Sequence, residues 1–289
     1  MAKLNQLAMA VNAAGALAVV VVGSYAANSF FNEDVTPACD SRYASATTLS
    51  LTNGSGSVAS SIELQAQFGS DARGILENVD IVSSAKAPAP ELLQVKLFKK
   101  PNSKQSAEGT LGGAGFSWQP ASMASAEAAC LAYNVLLPKE FAFAEGGVLP
   151  GLYGGDRLDP MTKEPQKHGI ASLFRWHKEG TAGVRAHLAS RDAGGNWFDE
   201  DTKLAIPRGK WTNIQQEIIL NAPDKADGIL RLWVDGVLQF ERKNLAWRKD
   251  DSITIDGVAA DVSYLKPDVT KFSNKTEALR IGQITASWQ

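Results

Sequence analysis

Apolar and polar residues alternate in many short runs of this chain, and turn-forming residues separate the runs. In ELLQVKLFKK, at 91–100, Leu93, Val95 and Leu97 occupy every second position. Successive side chains of a strand point to opposite faces, so this period predicts strands with one buried face. Similar runs are AACLAYNVLLP, GIASLFRWH, GVRAHLAS, WTNIQQEIILN, GILRLWVDGVLQFER and EALRIGQITASW. Their number and spacing predict an all-β protein with sandwich-like strands.

The secondary structure of two segments nearer the N-terminus is predicted from their local sequence pattern. ATTLSLTNGSGSVASSIELQAQF, at 46–68, is predicted as a strand, an Asn-Gly turn and a second strand. Helical periodicity is confined to the N-terminus and to SDARGILENV at 70–79. Asp235-Gly236 is a tight hairpin signal between two apolar runs.

The N-terminus carries LAMAVNAAGALAVVVVGSYAA, an uncharged run at 7–27 that follows Lys3. A helix of this length crosses a hydrocarbon layer of about 30 Å. It is either a signal peptide, with Ser24 and Ala26 as small residues before a cleavage site, or an uncleaved anchor, which the length favours slightly. A buried core helix is a third interpretation, against which Asn12 and the terminal position argue.

These features divide the chain into a hydrophobic helix at 1–27, a spacer at 28–45 and one domain at 46–289. Both export interpretations place the domain in the periplasm or on the cell surface, attached to the membrane if the helix is uncleaved. Cys39 and Cys130 are the two cysteines of the chain. Two thiols in an oxidising compartment tend to pair, so we expect a disulfide between them.

Charge and ligand types exclude several functions. The chain has 29 basic and 31 acidic residues, a net charge of -2, which gives no general attraction to nucleic acid. Three scattered histidines and two distant cysteines match no metal-ligand spacing, so neither a metal nor a cofactor is expected. FDEDTK, at 198–203, is predicted as a solvated acidic turn rather than a calcium loop.

GGVLPGLYGG, at 146–155, holds five glycines shortly after a predicted strand. Glycine permits unusual backbone angles and close approach of a ligand or another chain, so the stretch is either an elaborate turn or the wall of a site. Tyr153 within it is a sugar-stacking or proton-donating candidate, or an aromatic anchor for the loop.

SLFRWHKEGTAGVRAHLAS, at 172–190, is the most informative chemical stretch. Alternation places Arg175 and His177 on one face of the first strand, and Arg185 and His187 on one face of the second. If a hairpin joins the strands in a suitable register, the four basic side chains converge. Arginine pairs with carboxylates through two bonds and histidine accepts a proton near neutral pH, so this patch suits a polyuronate. The alternative is an ordinary solvent-facing hairpin balanced by carboxylates.

Two further residues are candidates for ligand contact. Trp197, in DAGGNWFDED, is expected in a loop, where it would offer a stacking surface for a sugar. His168, in KEPQKHG, is a second loop candidate. Trp176, Trp211 and Trp233 lie in predicted strands and are assigned to the core.

The segments YNVLLPKEFAFAEGGVLPGLYGG, FRW, GKWTNIQQEIILNAPDKADGILRLWVDG and NLAWR, in this order, resemble polysaccharide lyases of families 14 and 20, the alginate and glucuronan lyases. The similarity covers about 128–260. It implies a concanavalin A-like β-jelly-roll sandwich whose concave sheet binds a uronate chain. It also implies a cation that neutralises the carboxylate and a base that removes the C5 proton before elimination.

The chain departs from that family pattern at its functional positions. A lysine commonly precedes LPGL, where this chain has Val148, and an arginine commonly precedes the FRW tryptophan by three residues, where it has Leu173. A pair of tyrosines commonly lies on the strand aligned with GVRAHLAS, where Arg185 and His187 stand. The scaffold and an acidic polysaccharide partner therefore follow from the resemblance more firmly than the reaction.

The leading hypothesis is an exported polysaccharide lyase. His187 would be the base, Arg175 and Arg185 would neutralise the carboxylate, and Tyr153 would be an acid. His177, Trp197 and His168 would contact the substrate. The alternatives are a glycan-binding or envelope protein without elimination activity, and a structural subunit of a membrane complex with unidentified protein partners.

Overall fold

Two sheets of antiparallel strands face each other across an apolar core. The structure, a computed structural model, describes residues 36–99, 110–159, 168–189, 197–265 and 276–289. Within these ranges, the stretch from Ala38 to Gln289 belongs to one compact unit. The predicted all-β sandwich is thereby confirmed, whereas the hydrophobic helix predicted at 1–27 lies outside the described residues. In the described ranges no helix combines the length and hydropathy that a membrane span requires.

The larger sheet has nine strands in the order β13-β12-β11-β6-β16-β3-β2, with β1 beside β16 and β4 beside β3. These strands are β1 (Ser45–Thr48), β2 (Val79–Ser83), β3 (Glu91–Lys99), β4 (Thr110–Leu111), β6 (Ala128–Leu136), β11 (Trp211–Ile219), β12 (Gly228–Val234), β13 (Val237–Leu245) and β16 (Glu277–Trp288). The predicted turn at Asp235-Gly236 joins β12 to β13, and both of its residues have positive φ.

The smaller sheet has seven strands in the order β10-β9-β8-β7-β14-β5, with β15 beside β7. They are β5 (Ser117–Trp118), β7 (Gly147–Gly155), β8 (Gly169–Trp176), β9 (Thr181–His187), β10 (Trp197–Ala205), β14 (Gly257–Ala259) and β15 (Ser263–Tyr264). Two α-helices, α1 (Ser61–Phe68) and α2 (Ile75–Asn78), precede the second strand of the larger sheet. Short 3-10 turns lie at Cys39–Ser41 and Lys178–Gly180.

A hydrogen-bonded bridge crosses the otherwise apolar space between the sheets. The Pro150 carbonyl on β7 accepts hydrogen bonds from the Tyr133 hydroxyl at 3.1 Å and from the Gln216 side-chain amide at 3.0 Å. Ser172 donates to Gln216 at 3.0 Å. Buried polar groups are stable only when they are paired, so this network fixes β7 and β8 of the smaller sheet against β6 and β11 of the larger one.

The segment at 61–68 is a helix, and its prediction as a strand was wrong. The Ser60 side chain accepts the Glu63 backbone N–H, and the Glu63 carboxylate accepts the Ser60 N–H, which forms a capping box. Within the helix, the side chain of Leu64 is fully buried. The preceding turn does form, because Asn53 donates to the Ser57 carbonyl at 2.8 Å and Thr52 pairs with Val58.

The glycine-rich stretch is the strand β7, so its interpretation as a turn was wrong. It pairs with β8 on one side and with β14 and β15 on the other. A Cβ at Gly151 would lie 1.8 Å from the Ser172 carbonyl oxygen, and one at Gly154 would lie 1.8 Å from the Thr254 carbonyl oxygen. The glycines are required because neighbouring backbones approach β7 more closely than a side chain allows.

We expect Gly151→Ala to destabilise the protein by about 3 kcal/mol or more, because the new methyl group overlaps backbone that cannot move without breaking the sheet. Gly54→Ala is the matched control, since a Cβ there has nothing within 4 Å. Urea denaturation of both variants measures the difference. Equal stability of the two variants would contradict the packing described for β7.

The predicted disulfide between Cys39 and Cys130 is confirmed, with the Cα atoms 5.7 Å apart. It attaches the turn at Cys39–Ser41 to the outer face of the larger sheet. Beside it, the fully buried carboxylate of Glu217 pairs with Arg42 at 3.1 Å, accepts the Tyr43 hydroxyl at 2.8 Å and also pairs with Arg231. Burial, followed by the adjacent Glu217 charge, raises the pKa of Tyr43. The disulfide and these contacts therefore hold the same segment, residues 39–43, against the larger sheet.

Candidate functional site

The outer face of the smaller sheet carries most of the residues that the sequence singles out. β8 and β9 pair so that Leu173 lies opposite Arg185 and Ala171 lies opposite His187. β9 and β10 pair so that Trp197 lies opposite His187 and Asp199 lies opposite Arg185. The register therefore places the side chains of Arg175, Arg185 and His187 on one face of the sheet.

Carboxylates of β10 form ion pairs with the two arginines of this face. Asp199 pairs with Arg175 through one oxygen and with Arg185 through the other, the latter at 2.9 Å. Asp201 lies 3.8 Å from the Arg175 Nε atom. The acidic stretch at 198–203 is thus part of a strand, and its prediction as a solvated turn was wrong. Two arginines and two aspartates leave this part of the face without net charge.

Arg175, Arg185 and His187 form a row of basic side chains on this face. His187 and Trp197 lie side by side at one end of the row. His187 is fully buried, and its Nδ1 atom lies 2.9 Å from the Gly169 carbonyl oxygen. Because a carbonyl only accepts, Nδ1 carries the proton in this contact. The Trp197 ring centre is 5.4 Å from the imidazole and 5.4 Å from the Arg185 guanidinium carbon. Trp197 begins β10, so its prediction as a loop residue was wrong.

The other two histidines, His168 and His177, flank the two ends of β8. His177 follows β8 and is exposed, and its backbone N–H donates to Thr181 at 2.8 Å as the chain enters a 3-10 turn. The predicted hairpin does form, and the 3-10 turn at Lys178–Gly180 follows His177 directly. His168 is also exposed, and its carbonyl accepts the Asp156 N–H at 2.8 Å.

The centre of the face is apolar. Val148 lies opposite Arg175, and Leu173 lies opposite Gly151. Both side chains are fully buried in a cluster that also contains Tyr153, Leu158, Ala171 and Ala259. Two of the positions where this chain departs from the family pattern, Val148 and Leu173, therefore contribute packing, not charge.

A cleft of about 640 Å³ opens at the β5 side of the same sheet. Tyr153 lines it, and its hydroxyl accepts a hydrogen bond from the Gln119 side-chain amide at 2.8 Å. The Arg157 guanidinium carbon lies 5.6 Å from the centre of the Tyr153 ring. The remaining lining comes from α1 and its following turn and from the ends of β5 and β7, and consists of Gln67, Phe68, Asp71, Ala72, Ser117, Trp118, Gly155 and Asp156.

Burial raises the pKa of the Tyr153 phenol above its ordinary value of 10.0. Contacts with Ser117 and Gln119 and the Arg157 charge act in the opposite direction, and Asp256 adds to the increase. The phenol is therefore protonated at neutral pH, where it can donate a proton. As its pKa is approached from below, an increasing fraction becomes phenolate, which can accept one.

Sequence reasoning identified Tyr153 but missed Gln119 and Arg157. Gln119 follows a strand of two residues, too short to show a period, and Arg157 lies in the loop after β7. The described residues contain no group of three or more His, Cys, Asp or Glu side chains that could hold a metal ion.

Comparisons with known proteins agree with this architecture. The family model for polysaccharide lyase 14 matches residues 86–264, which is more than half of the chain. The chain belongs to this family, as the sequence resemblance predicted. Among curated proteins no sequence matches.

Solved structures of similar fold include alginate and glucuronan lyases. The marine PL-14 alginate lyase from Aplysia kurodai has 18% identity and a TM-score of 0.62, over 86% of this chain and 100% of that one. An alginate lyase from a Chlorella virus has 16% identity and a TM-score of 0.61, over 84% and 99%. The endo-β-1,4-glucuronan lyase from Trichoderma reesei has 11% identity and a TM-score of 0.54, over 77% and 89%. At these identities the likeness establishes the fold.

Proposed function

We propose that this protein binds an acidic, uronate-containing polysaccharide and cleaves it by β-elimination in the cleft beside Tyr153. The observation that carries the proposal is the meeting of a phenol, an amide donor and a guanidinium at that cleft, through Tyr153, Gln119 and Arg157. Family membership supplies the reaction class, and the three side chains supply groups for its proton transfer and its charge stabilisation.

In the proposed reaction Tyr153 serves as both base and acid. Its phenolate takes the C5 proton, and the electrons of that C–H bond form the C4–C5 double bond. The C4–oxygen bond breaks, its electron pair goes to the leaving glycosidic oxygen, and the phenol returns the proton to that oxygen. Arg157 stabilises the negative charge that develops on the uronate carboxylate, because a fixed cation is strongest in a partly dehydrated site. No proton is consumed overall.

The proposal moves the reaction away from the residues first assigned to it. Asp199 and Asp201 balance the charges of Arg175 and Arg185, whereas Arg157 and Arg73 share the single carboxylate of Asp261 and keep a net positive charge beside the cleft. His187 lies fully buried beside Trp197. Tyr153 is also buried, at 2% exposure, but it lines the open cleft, on the strand that carries the LPGLYGG motif.

We expect kcat/KM to increase with pH into the alkaline range. The base must be deprotonated, and burial places the pKa of Tyr153 above 10, so the active fraction keeps growing well beyond neutrality. Initial rates on alginate and glucuronan from pH 6 to 10 measure the profile. A profile that levels off near an ordinary histidine pKa of about 6.5 would instead support His187 as the base. His187→Gln is the matched control and keeps the alkaline rise if Tyr153 acts alone.

A second candidate function is glycan binding without elimination. The observation that favours it is the charge-neutral arrangement of Arg175, Arg185 and Asp199 next to the apolar side chains of Val148 and Leu173. Retention on immobilised alginate or glucuronan, with no unsaturated product at any pH, would establish this alternative.

We also propose that the protein is exported and works in the periplasm or on the cell surface. The disulfide supports this location, because cytosolic thiols are normally kept reduced. The uncharged run at 7–27 would direct export or provide the membrane anchor. Fractionation of cells that produce the full chain tests it, and a cytosolic, reduced protein would contradict it.

A further inference from the structure

Asp261 is a fully buried carboxylate in the loop between β14 and β15. One of its oxygens lies 2.7 Å from the Arg73 Nη2 atom, and the other pairs with Arg157. A carboxylate buried without partners would carry a large desolvation cost. The two guanidinium groups offset this cost, because each pairs with one of the two carboxylate oxygens.

Arg157 is fixed by more than this ion pair. Its Nε atom donates to the Ser117 hydroxyl at 3.1 Å, and its Nη1 atom donates to the Leu158 carbonyl at 2.9 Å. Arginine presents its donors in a planar fork, so contacts on several nitrogens define the orientation of the whole group. The fork therefore stands in a defined position beside the Tyr153 ring.

Arg73 reaches the same carboxylate from a different part of the chain. It lies between α1 and α2, and its backbone exchanges hydrogen bonds with Gly115 at 2.8 and 3.0 Å. Its side chain is 52% exposed, so it can be changed without opening the core. Two guanidinium groups and one carboxylate give a net charge of +1.

We propose that Arg73, Asp261 and Arg157 form a positioning triad, which holds the Arg157 guanidinium beside Tyr153 and sets the net charge that the phenol meets. The inference rests on the proposed function only in giving Tyr153 a role in the reaction. Arg73 and Asp261 act through Arg157 and do not themselves touch the reacting atoms.

Other charged groups face this end of the cleft and must be held constant in a test. Asp256 precedes β14, Asp156 follows β7, and Asp71 follows α1. The Asp256 charge favours the protonated phenol, whereas the Arg157 charge favours the phenolate. Changes confined to the triad leave these three carboxylates in place.

Two substitutions in the triad are expected to act in opposite directions. Arg73→Gln lowers the net charge of the triad from +1 to 0, so the pKa of Tyr153 rises and the phenolate fraction at a given alkaline pH falls several-fold. Asp261→Asn raises the net charge to +2, so the pKa falls and that fraction increases. Replacement of Tyr153 by 3-fluorotyrosine in the full chain provides a single ¹⁹F resonance, whose titration reports this phenol alone.

Conservative and distant variants complete the experiment. Arg73→Lys retains the charge and is expected to titrate close to the parent protein, and Arg280→Gln, on the larger sheet, is expected to have no effect. If Asp261→Asn does not fold, the comparison of Arg73→Gln with Arg73→Lys decides. An unchanged or lowered titration midpoint in Arg73→Gln would overturn the triad. The titration needs no turnover, so failure of the triad and failure of the proposed elimination are separate results.

Discussion

Tyr153→Phe is expected to reduce elimination activity by about 10²–10⁴-fold, the usual contribution of a positioned acid or base. The substitution removes only the hydroxyl, which accepts the Gln119 amide at the edge of the cleft. The loss of its contacts with Gln119 and Ser117 costs about 1 kcal/mol each, so the variant remains folded. Initial rates of unsaturated product formation, compared at equal protein concentration, measure the effect.

Tyr43→Phe is the matched control, because its hydroxyl contacts Glu217 on the outer face of the other sheet. It is expected to lose some stability and no activity. Full activity in Tyr153→Phe would remove the phenol from the reaction and return attention to His187. Equal losses in both variants would indicate a general effect on folding.

Simultaneous replacement of Cys39 and Cys130 by alanine is expected to lower the free energy of unfolding by roughly 4 to 5 kcal/mol in the chain-entropy model. The reason is the size of the closed loop, because the two cysteines are 91 positions apart and their bond restricts the unfolded chain. Urea denaturation under oxidising conditions measures the loss.

The contacts around Glu217 remain in that variant, so the segment after the turn at Cys39–Ser41 should still dock on the larger sheet. The control is the pair Thr48→Ala and Thr285→Ala, which removes an exposed hydrogen bond between β1 and β16. We expect the control to cost about 1 kcal/mol or less. A cysteine variant as stable as the control would show that the disulfide adds little beyond the docked contacts.

The strands of this protein were predictable because alternation along one strand records which face is buried. The runs that became β3 and β16 show it directly. Segment 61–68 was misread because apolar residues alternate there, while the helix depends on the reciprocal contact of Ser60 with Glu63. A capping pattern of two residues outweighed the period of a short run.

The glycines of β7 illustrate a second limit. Their composition indicated close approach, but the approaching groups are the carbonyls of Ser172 and Thr254, which become neighbours only after the sheet has formed. Sequence alone therefore left open whether an elaborate turn or the wall of a site was responsible, and a strand was not foreseen. The strands that pack against β7 decide which of these interpretations holds.

The candidate site was predictable only in part, for the same reason. Alternation correctly placed Arg175, Arg185 and His187 on one face, but the carboxylates that pair with the arginines come from the neighbouring strand β10. Tyr153 could be selected from its position in a glycine-rich motif. Its partners Gln119 and Arg157, and the Asp261 carboxylate, are brought to it by strand pairing and loop packing across the sheet.

The most direct test of the proposed function is the ultraviolet absorbance of unsaturated uronate after the full chain is mixed with alginate or glucuronan at alkaline pH. We predict that the absorbance grows with at least one of these polymers and that the growth is lost in Tyr153→Phe. No growth with either polymer, in a folded protein that binds one of them, would contradict the proposed elimination and identify the protein as a glycan-binding member of the lyase family.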